Sequence, residues 1–450
     1  MALRLRLRRE LLRRTVLRRI APFWLLLCAG AAAAQERPAV VVNPGGKQTY
    51  RAALQRFADH SPRPAGAEEF RDALGRALEF SQVFELVNPR AFLGPETTES
   101  LETPIVCPDW SQIGADALVQ GQLARDPSLL TANFRVWDPS RCATLVQKSY
   151  RQPATADPNA LAKRIADDVV EAFVGVRGVS ATEIAFVSNR KGNGEIFVMA
   201  ADGSGQRAAT ANRSINNFPS WSPDGDAIVY TSYRQANRPL LFISSRGRGR
   251  PGRLLPRLPA ERAEYRGVFS PKGDRVALVL SDEGAAEIYS ARPDGSDLQR
   301  LTRHRSIDVS PTWSPDGSRI AFVSDRTGAP QVYVMDSGGG EPRRLTFQGS
   351  YNTNPTWSPD GKWIAYESRI GGQFDLWLID PEGQVNQPIV QHPRNDEGPS
   401  WAPNSRMLAF SSRRFGRAEI CVVDLSGEKV LRLTQNAGDN TAPAWGPFPR

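Results

Sequence analysis

Two hydrophobic patterns divide the chain. Beyond residue 183, short apolar runs such as Ile320–Ser324 and Gln331–Met335 alternate with turns rich in Gly and Pro, which predicts a series of β-strands. Between residues 35 and 175 the pattern is mixed, because Ala67–Phe80 shows helical spacing and Pro158 opens a second helical run. Strands are also expected here at Val40–Asn43, Phe84–Val87 and Ala115–Leu123, with a hairpin from Asn133–Trp137 and Thr144–Ser149.

The all-β region repeats one motif six times. Its best copies read Trp-Ser-Pro-Asp-Gly, and the first residues of all copies are Trp221, Phe269, Trp313, Trp357, Trp401 and Trp445, spaced by 48 residues once and then by 44. A period in the low forties with several strands per unit is typical of a propeller blade. The second strands begin near Ile184, Ala227, Val276, Ile320, Ile364 and Leu408.

The fold class that follows is an N-terminal α/β domain and a six-bladed β-propeller. Each blade should hold strands A to D from the axis outward, with a Trp that packs between blades at the end of strand A. The first blade has strands B to D in residues 183–210 but no preceding motif. The C-terminal strand at Trp445 should therefore complete it and close the ring, which removes exposed sheet edges.

The position five residues before each motif is always Asn, Asp or Glu. These residues, called the ring residues below, are Asn216, Glu264, Asp308, Asn352, Asp396 and Asn440. Because they enter the innermost strands, they are predicted to form the rim of a central tunnel that binds a basic or amide-rich peptide or a cation. A second interpretation is that their short side chains only cap the crossover turns. The B–C hairpins add an expected outer rim of Arg190, Arg234, Arg326, Arg369 and Arg413.

The positive charge of the chain lies at its N-terminus. Residues 1–34 contain eight Arg and one Glu, a net +7 out of the total of +9, and the other 416 residues are nearly neutral. This distribution disfavours nucleic-acid binding. An Arg-rich start, an apolar run of 15 residues and the site Ala32-Ala33-Ala34 predict a signal peptide over residues 1–34, exported by the general or the twin-arginine route. The α/β domain is then expected at 35–175, a linker at 176–182 and the propeller at 183–450.

Export changes the interpretation of the cysteines. Cys107 and Cys142 lie 35 residues apart in one region, and disulfides persist outside the cytoplasm, so we expect them to pair. Cys421 lies in an apolar strand and is expected to be buried. The sequence contains no Cys/His cluster with metal-ligand spacing, and neither a metal nor a cofactor is predicted.

Specific segments of both regions resemble the TolB family. In the propeller they are Trp313–Thr346 and Trp357–Ile379; in the N-terminal region they are Ala77–Phe84 with Asn88-Pro89, Gly114–Val119 and Arg164–Asp168. The resemblance implies a non-enzymatic, monomeric periplasmic adaptor that links inner-membrane Tol proteins to the peptidoglycan-associated lipoprotein and supports outer-membrane integrity during cell division. It further implies that the ring residues contact the lipoprotein and that the segment Gln35–Val42 contacts the inner-membrane protein.

Enzymatic alternatives are carbohydrate-acting and peptidase-associated propellers. A serine peptidase needs a nucleophile elbow, and no Gly-x-Ser-x-Gly occurs in the chain. A glycosidase would need two carboxylates about 5–5.5 Å or about 6.5–9.5 Å apart in a sugar-sized cleft, for which Glu264, Asp308 and Asp396 are the candidates. A protein-binding propeller outside the Tol system is a further alternative.

Overall fold

The computed structural model describes residues 49–62, 66–235, 237–245, 248–256, 262–282, 285–435 and 438–449. The predicted signal peptide, the strand Val40–Asn43 and the segment Gln35–Val42 lie outside the described residues. No helix within the described ranges is long and apolar enough to cross a membrane.

The N-terminal region is built on a seven-stranded mixed sheet. Its strands are β1 (Tyr50–Leu54), β2 (Arg56–Asp59), β3 (Phe84–Leu86), β4 (Thr97–Thr98), β5 (Ala117–Arg125), β6 (Leu129–Asp138) and β7 (Ala143–Pro153). The order is β3-β1-β5-β2-β4 with parallel pairing, while β6 and β7 extend antiparallel from β5. The β6–β7 hairpin is longer at both ends than the sequence predicted, and β1, β2 and β4 were not predicted.

Two amphipathic helices cover this sheet. The helices of the region are α1 (Ala67–Phe80), α2 (Cys107–Ser111) and α3 (Pro158–Val174), with a 3-10 turn at Pro89–Ala91. The bounds of α1 and the start of α3 are as predicted, and both helices bury their apolar faces in one core with the sheet. Asp157 caps α3, and its side chain accepts a hydrogen bond from the Asn159 N–H. Cys107 in α2 and Cys142 in the β6–β7 turn are joined by a disulfide.

The segment between α3 and the propeller is packed against both regions. Val179 and Ser180 are buried. The Asp167 carboxylate of α3 accepts hydrogen bonds from the N–H groups of Ser180 and Ala181 at 2.7 and 3.0 Å, and burial raises the pKa of this group to about 6. The residues expected to form a linker are thus held by hydrogen bonds.

Residues 183–445 form the six-bladed β-propeller that the repeat predicted. Blade 1 contains β8 (Glu183–Ser188), β9 (Glu195–Ala200) and β10 (Arg207–Ala208); blade 2 β11 (Asn216–Trp221), β12 (Ala227–Ser232), β13 (Leu240–Ser245) and β14 (Arg248–Arg253); blade 3 β15 (Ala263–Phe269), β16 (Val276–Asp282), β17 (Ala285–Ala291) and β18 (Gln299–Arg300). Blade 4 contains β19 (Asp308–Trp313), β20 (Arg319–Ser324), β21 (Gln331–Asp336) and β22 (Arg343–Arg344); blade 5 β23 (Asn352–Trp357), β24 (Ile364–Ile370), β25 (Gln373–Ile379) and β26 (Asn386–Val390); blade 6 β27 (Asp396–Trp401), β28 (Met407–Phe415), β29 (Arg417–Asp424) and β30 (Val430–Arg432). Each blade is a four-stranded antiparallel sheet.

The ring closes as expected. The last strand, β31 (Asn440–Trp445), pairs antiparallel with β8 and becomes strand A of blade 1. The Trp445 indole N–H donates to Thr182 Oγ1 at 2.8 Å, so the closure joins the two ends of the propeller through a side chain as well. Three other motif tryptophans bond across blades: Trp221 Nε1 donates to Ala444 O, Trp313 Nε1 to Val268 O, and Trp401 Nε1 to Thr356 O. Trp357 Nε1 donates to Gly361 O in the turn of its own blade.

Candidate functional site

A tunnel runs between the innermost strands of the six blades. It encloses a cavity of about 420 Å³. The walls are formed by residues 217–220, 266–268, 310–312, 354–356, 397–400 and 441–444, with Glu367 and Ser411 from the second strands. All six blades therefore contribute to one axial site, although their tunnel-facing residues differ.

Every innermost strand has a β-bulge at the same place. The pairing between strands A and B shifts its register just after each ring residue. The residue two positions after each ring residue has a positive φ, between 48° and 65°, at Phe218, Arg266, Ser310, Asn354, Gly398 and Ala442. For a residue other than glycine this conformation costs on the order of 1 kcal/mol. The repeated bulge directs the tunnel wall inward, and no sequence feature had indicated it.

The ring residues are buried and do not form the accessible rim that the sequence predicted. All six side chains are 0% exposed. They lie where each crossover loop enters strand A, beneath the loop and not on its surface. Their side-chain contacts match the second interpretation: the Asn216 amide donates to Ser214 O at 3.0 Å, and the Asn352 amide donates to Gln348 O at 2.7 Å. A role of the ring residues in partner binding remains a prediction.

In three blades the ring residue is held by an arginine of the B–C hairpin. Arg326 Nη2 donates to Asp308 Oδ2 at 3.0 Å, and Arg190 Nη2 donates to Asn440 Oδ1 at 3.0 Å. In blade 6 the partner of Asp396 is Arg414, at 2.8 Å, and not Arg413, which lies 3.5 Å from Asp439. Arg413 lies outside the ring, and its predicted role in an outer rim remains a prediction.

The other arginines of the expected outer rim do not reach the ring. Arg234 lies over the Phe242 ring at 3.8 Å and donates to Pro251 O. Arg369 donates to Gly372 O within its own hairpin. In blade 3, the Glu264 carboxylate accepts from Arg253 Nη2 of blade 2 at 2.5 Å. The ring residues of blades 2, 3 and 5 are therefore held by other contacts than those of blades 1, 4 and 6.

A second set of buried acids supports the crossover loops and was not predicted. Glu195, Glu287 and Glu419 lie within the first three residues of the third strands of blades 1, 3 and 6, and each is at most 5% exposed. Each accepts a hydrogen bond from the threonine that follows the fourth strand: Thr210, Thr302 and Thr434. The recurring Arg-Leu-Thr triplet was the available signal, since it places this hydroxyl at the same point of the repeat.

Two opposite charges line the tunnel in blades 3 and 5. The Arg266 guanidinium stacks on the Phe218 ring at 3.9 Å, and burial lowers the pKa of Arg266 to about 10. Glu367 stands at a position where the other blades have Val, Thr or Ser. Burial raises the pKa of Glu367 to about 7, although its Oε1 accepts hydrogen bonds from Asn354 Nδ2 and Gly398 N at 2.5 Å each.

Exposed apolar side chains surround the tunnel mouth. Ile215, Ile307 and Tyr351 each immediately precede a ring residue and are 47%, 47% and 40% exposed. Backbone hydrogen bonds hold this face in two blades, because the Tyr233 and Arg369 N–H groups donate to Ile215 O and Tyr351 O. A rigid face that presents isolated large apolar groups around a polar opening is suited to binding a protein surface.

The three carboxylates considered for glycosidase chemistry are separated from the cavity. Glu264, Asp308 and Asp396 are buried, none of them lines the tunnel, and each is bonded to its own arginine. Burial raises the pKa of each carboxyl, and the paired arginine opposes that shift. In the part of the chain that the structure describes, these groups act as supports of the crossover loops.

Together, the fold and the axial site define a six-bladed propeller protein with an N-terminal α/β domain. The family model of the TolB amino-terminal domain matches residues 38–144, and that of the TolB beta propeller domain matches residues 259–449. The chain belongs to the TolB family.

Relatives and a solved structure agree with this assignment. The Tol-Pal system protein TolB of Anaeromyxobacter dehalogenans strain 2CP-1 is 37% identical over 300 residues, which is 66% of this chain and 68% of that protein. The protein of the same name from strain 2CP-C is 37% identical over 288 residues, which is 64% of this chain and 65% of the relative's length. The crystal structure of TolB from Acinetobacter baumannii shares the fold, with a TM-score of 0.76, 24% identity and coverage of 89% of this chain and 98% of that one.

Proposed function

We propose that this chain is a non-catalytic, monomeric adaptor of the Tol-Pal system in the periplasm. In this proposal its propeller binds the peptidoglycan-associated lipoprotein, and its N-terminal segment contacts an inner-membrane Tol protein. The linkage would support outer-membrane integrity and constriction during cell division. Membership of the TolB family supports the assignment of this chain to the Tol-Pal system. The resemblance of its sequence segments to that family supports the choice of the two partners.

The observation that carries the proposal is the tunnel face. Ile215, Ile307 and Tyr351 present exposed apolar side chains on this face in blades 2, 4 and 5, and backbone hydrogen bonds hold Ile215 and Tyr351. Such a face loses little conformational freedom on binding, which favours affinity for a complementary protein surface. In this proposal the ring residues do not touch the partner, because their side chains are buried; they hold the crossover loops that precede each strand A.

The test is calorimetric titration of residues 35–450 with the soluble domain of the host's peptidoglycan-associated lipoprotein. Ile307→Ser and Tyr351→Ser should each weaken binding about tenfold or more, which is about 1.4 kcal/mol. Leu145→Ser is the matched control, because Leu145 is 39% exposed on the N-terminal sheet, and it should leave the affinity unchanged. Equal affinity of all variants would mean that the lipoprotein binds another face of this chain. The absence of binding to the wild type would refute the proposed adaptor function.

A second titration addresses the other partner. Deletion of residues 35–42 should abolish binding to the periplasmic domain of the inner-membrane Tol protein and preserve binding to the lipoprotein domain. Retained binding of both partners would refute the role of the N-terminal segment.

A further inference from the structure

In three blades, an arginine of the same blade lies between the last serine of the second strand and the ring residue that this arginine contacts. We call this site the slot. In blades 1, 4 and 6 the second strand ends in Ser-x-Arg, and the Arg Nε donates to the Ser Oγ while Nη2 donates to the ring residue. The Nε–Oγ distances are 2.7 Å for Arg190 and Ser188, 2.9 Å for Arg326 and Ser324, and 2.8 Å for Arg414 and Ser412. The slot therefore presents two oxygen acceptors that match two edges of a planar guanidinium.

An aromatic side chain forms one wall of each occupied slot. The guanidinium carbon of Arg190 lies 4.4 Å from the Phe197 ring centroid, and that of Arg326 lies 5.0 Å from the Tyr333 ring. In blade 6, Arg414 lies 5.8 Å from the Phe410 ring. The slot thus combines oxygen acceptors with a π-face, both of which favour a guanidinium.

Blade 5 has the slot without the arginine. Its sequence at this point is Ser368-Arg369-Ile370, and Arg369 turns away to Gly372 O. Ser368 is 1% exposed and Asn352 is 0% exposed, yet neither Ser368 Oγ nor Asn352 Oδ1 has a hydrogen-bond partner in the described ranges. Both hydrogens of the Asn352 amide are engaged, by Gln331 Oε1 and Gln348 O at 2.7 Å each, so its oxygen is the atom left for a donor.

The rest of the slot is retained in blade 5. Tyr366 and Trp377 form the cross-strand pair that corresponds to Phe322 and Tyr333 in blade 4. Both unpaired oxygens lie against Gly349, where a Cβ would be 2.6 Å from Ser368 Oγ, 3.2 Å from Asn352 Oδ1 and 3.4 Å from Ile370 Cγ1. A guanidinium therefore reaches the two oxygens only when the Gly349 loop and the Ile370 side chain move aside.

In blades 4 and 6 the occupied slot reaches the surface of the tunnel face, whereas in blade 5 the two unpaired oxygens are buried. The side chains that occupy it in blades 4 and 6, Arg326 and Arg414, keep 15% and 16% of their surface exposed. Next to the blade 5 slot, Tyr351 stands edge-on to Phe374 with ring centroids 5.7 Å apart, and it is itself 40% exposed. An incoming side chain would find an aromatic surface for its aliphatic part beside the two acceptors.

We propose that blade 5 binds the guanidinium of an arginine supplied by the protein partner of the tunnel face. The inference rests on the proposed function and adds to it one residue type in the partner and one place on the propeller. A neutral ring residue is no obstacle, because Asn440 in blade 1 accepts from Arg190 in the same geometry. In blade 5 the partner's arginine would bond to the serine hydroxyl and the ring residue, as an arginine of the same blade does in blades 1, 4 and 6.

The first test uses a small probe and residues 35–450. Nα-acetyl-arginine amide is titrated into isotope-labelled protein, and the side-chain amide signal of Asn352 is followed by NMR. We expect a saturable shift in the wild type, no shift with Nα-acetyl-citrulline amide, and no shift in Ile370→Arg, which supplies the missing guanidinium from within. Ile370 is 38% exposed, and thermal unfolding checks that the variant folds. An unshifted wild type, or an equal shift in Ile370→Arg, would overturn the proposal.

The second test uses the soluble lipoprotein domain. Ile370→Arg should weaken its binding at least tenfold, whereas Ile370→Gln, which is long but uncharged, should change it less than threefold. Equal binding by wild type and Ile370→Arg would overturn the assignment of the slot to this partner. If the lipoprotein domain does not bind the wild type at all, the proposed function fails, and the arginine probe still decides whether the slot exists.

Discussion

Replacing Glu367 by glutamine is expected to stabilise the propeller above neutral pH. The carboxyl is 3% exposed, and burial is the main reason that its pKa rises from 4.5 to about 7. The nearby Glu397 raises this pKa further, while Arg266 and the hydrogen bonds from Asn354 and Gly398 lower it. A carboxyl with a raised pKa contributes stability below its unfolded pKa and loses that contribution as the pH rises through the folded value.

The magnitude follows from the shift. Each pKa unit corresponds to about 1.4 kcal/mol, so a shift from 4.5 to about 7 corresponds to about 3 kcal/mol when both states are ionised. Between pH 5 and pH 8 the stability of Glu367→Gln relative to the wild type should rise by about 2–3 kcal/mol. Glutamine keeps the local contacts, because both hydrogen bonds are accepted by Oε1 and an amide oxygen can accept them equally.

Urea unfolding of residues 35–450 at pH 5 and pH 8 measures this difference. Glu341→Gln, the same chemical change at an exposed position, is the control and should show no such pH dependence. The reasoning is refuted if Glu367→Gln and the wild type differ by the same free energy at both pH values, or if the variant is the less stable protein at pH 8.

Three further predictions concern the framework. Replacing Cys107 and Cys142 by Ala should lower the free energy of unfolding by about 4 kcal/mol in the chain-entropy model; dithiothreitol should destabilise the wild type and not the variant, and equal sensitivity would contradict this. Trp445→Ala should cost about 3–5 kcal/mol in denaturant unfolding, because it removes a side chain that is 7% exposed from the closing strand; a cost below about 1 kcal/mol would contradict a role in closure. Lys163→Ala should raise hydrogen exchange in the Asp202 turn, because the two charges lie 2.7 Å apart and join α3 to blade 1; unchanged exchange would mean that the pair does not hold this contact.

The repeat and the helices could be predicted because their signals are local. A period of 44 residues, Pro-Asp-Gly turns and alternating apolar runs define a blade without reference to its neighbours, and six copies require a ring. The bounds of α1 followed from the spacing of its apolar residues, since a helix repeats every 3.6 residues wherever it packs. The closing strand could be predicted by counting strands, because blade 1 had no strand A before it and the last strand, at Trp445, had no blade after it.

The chemistry of the axis depends on contacts between distant residues. Sequence alone placed the ring residues at the tunnel, but only the structure shows them beneath the crossover loops and paired with Arg190, Arg326 and Arg414. A strand of alternating side chains reverses its faces when its register moves by one residue, so the sequence could not show that Arg414, and not the adjacent Arg413, contacts Asp396.

The approach of Arg266 and Glu367, in blades 3 and 5, likewise arises only when the ring closes. The unfilled slot of blade 5 is visible only by comparing four folded blades. The amino-acid pattern therefore determined which blades form and in what order, while the assembled ring decided which buried polar groups find a hydrogen-bond partner among the described residues and which do not.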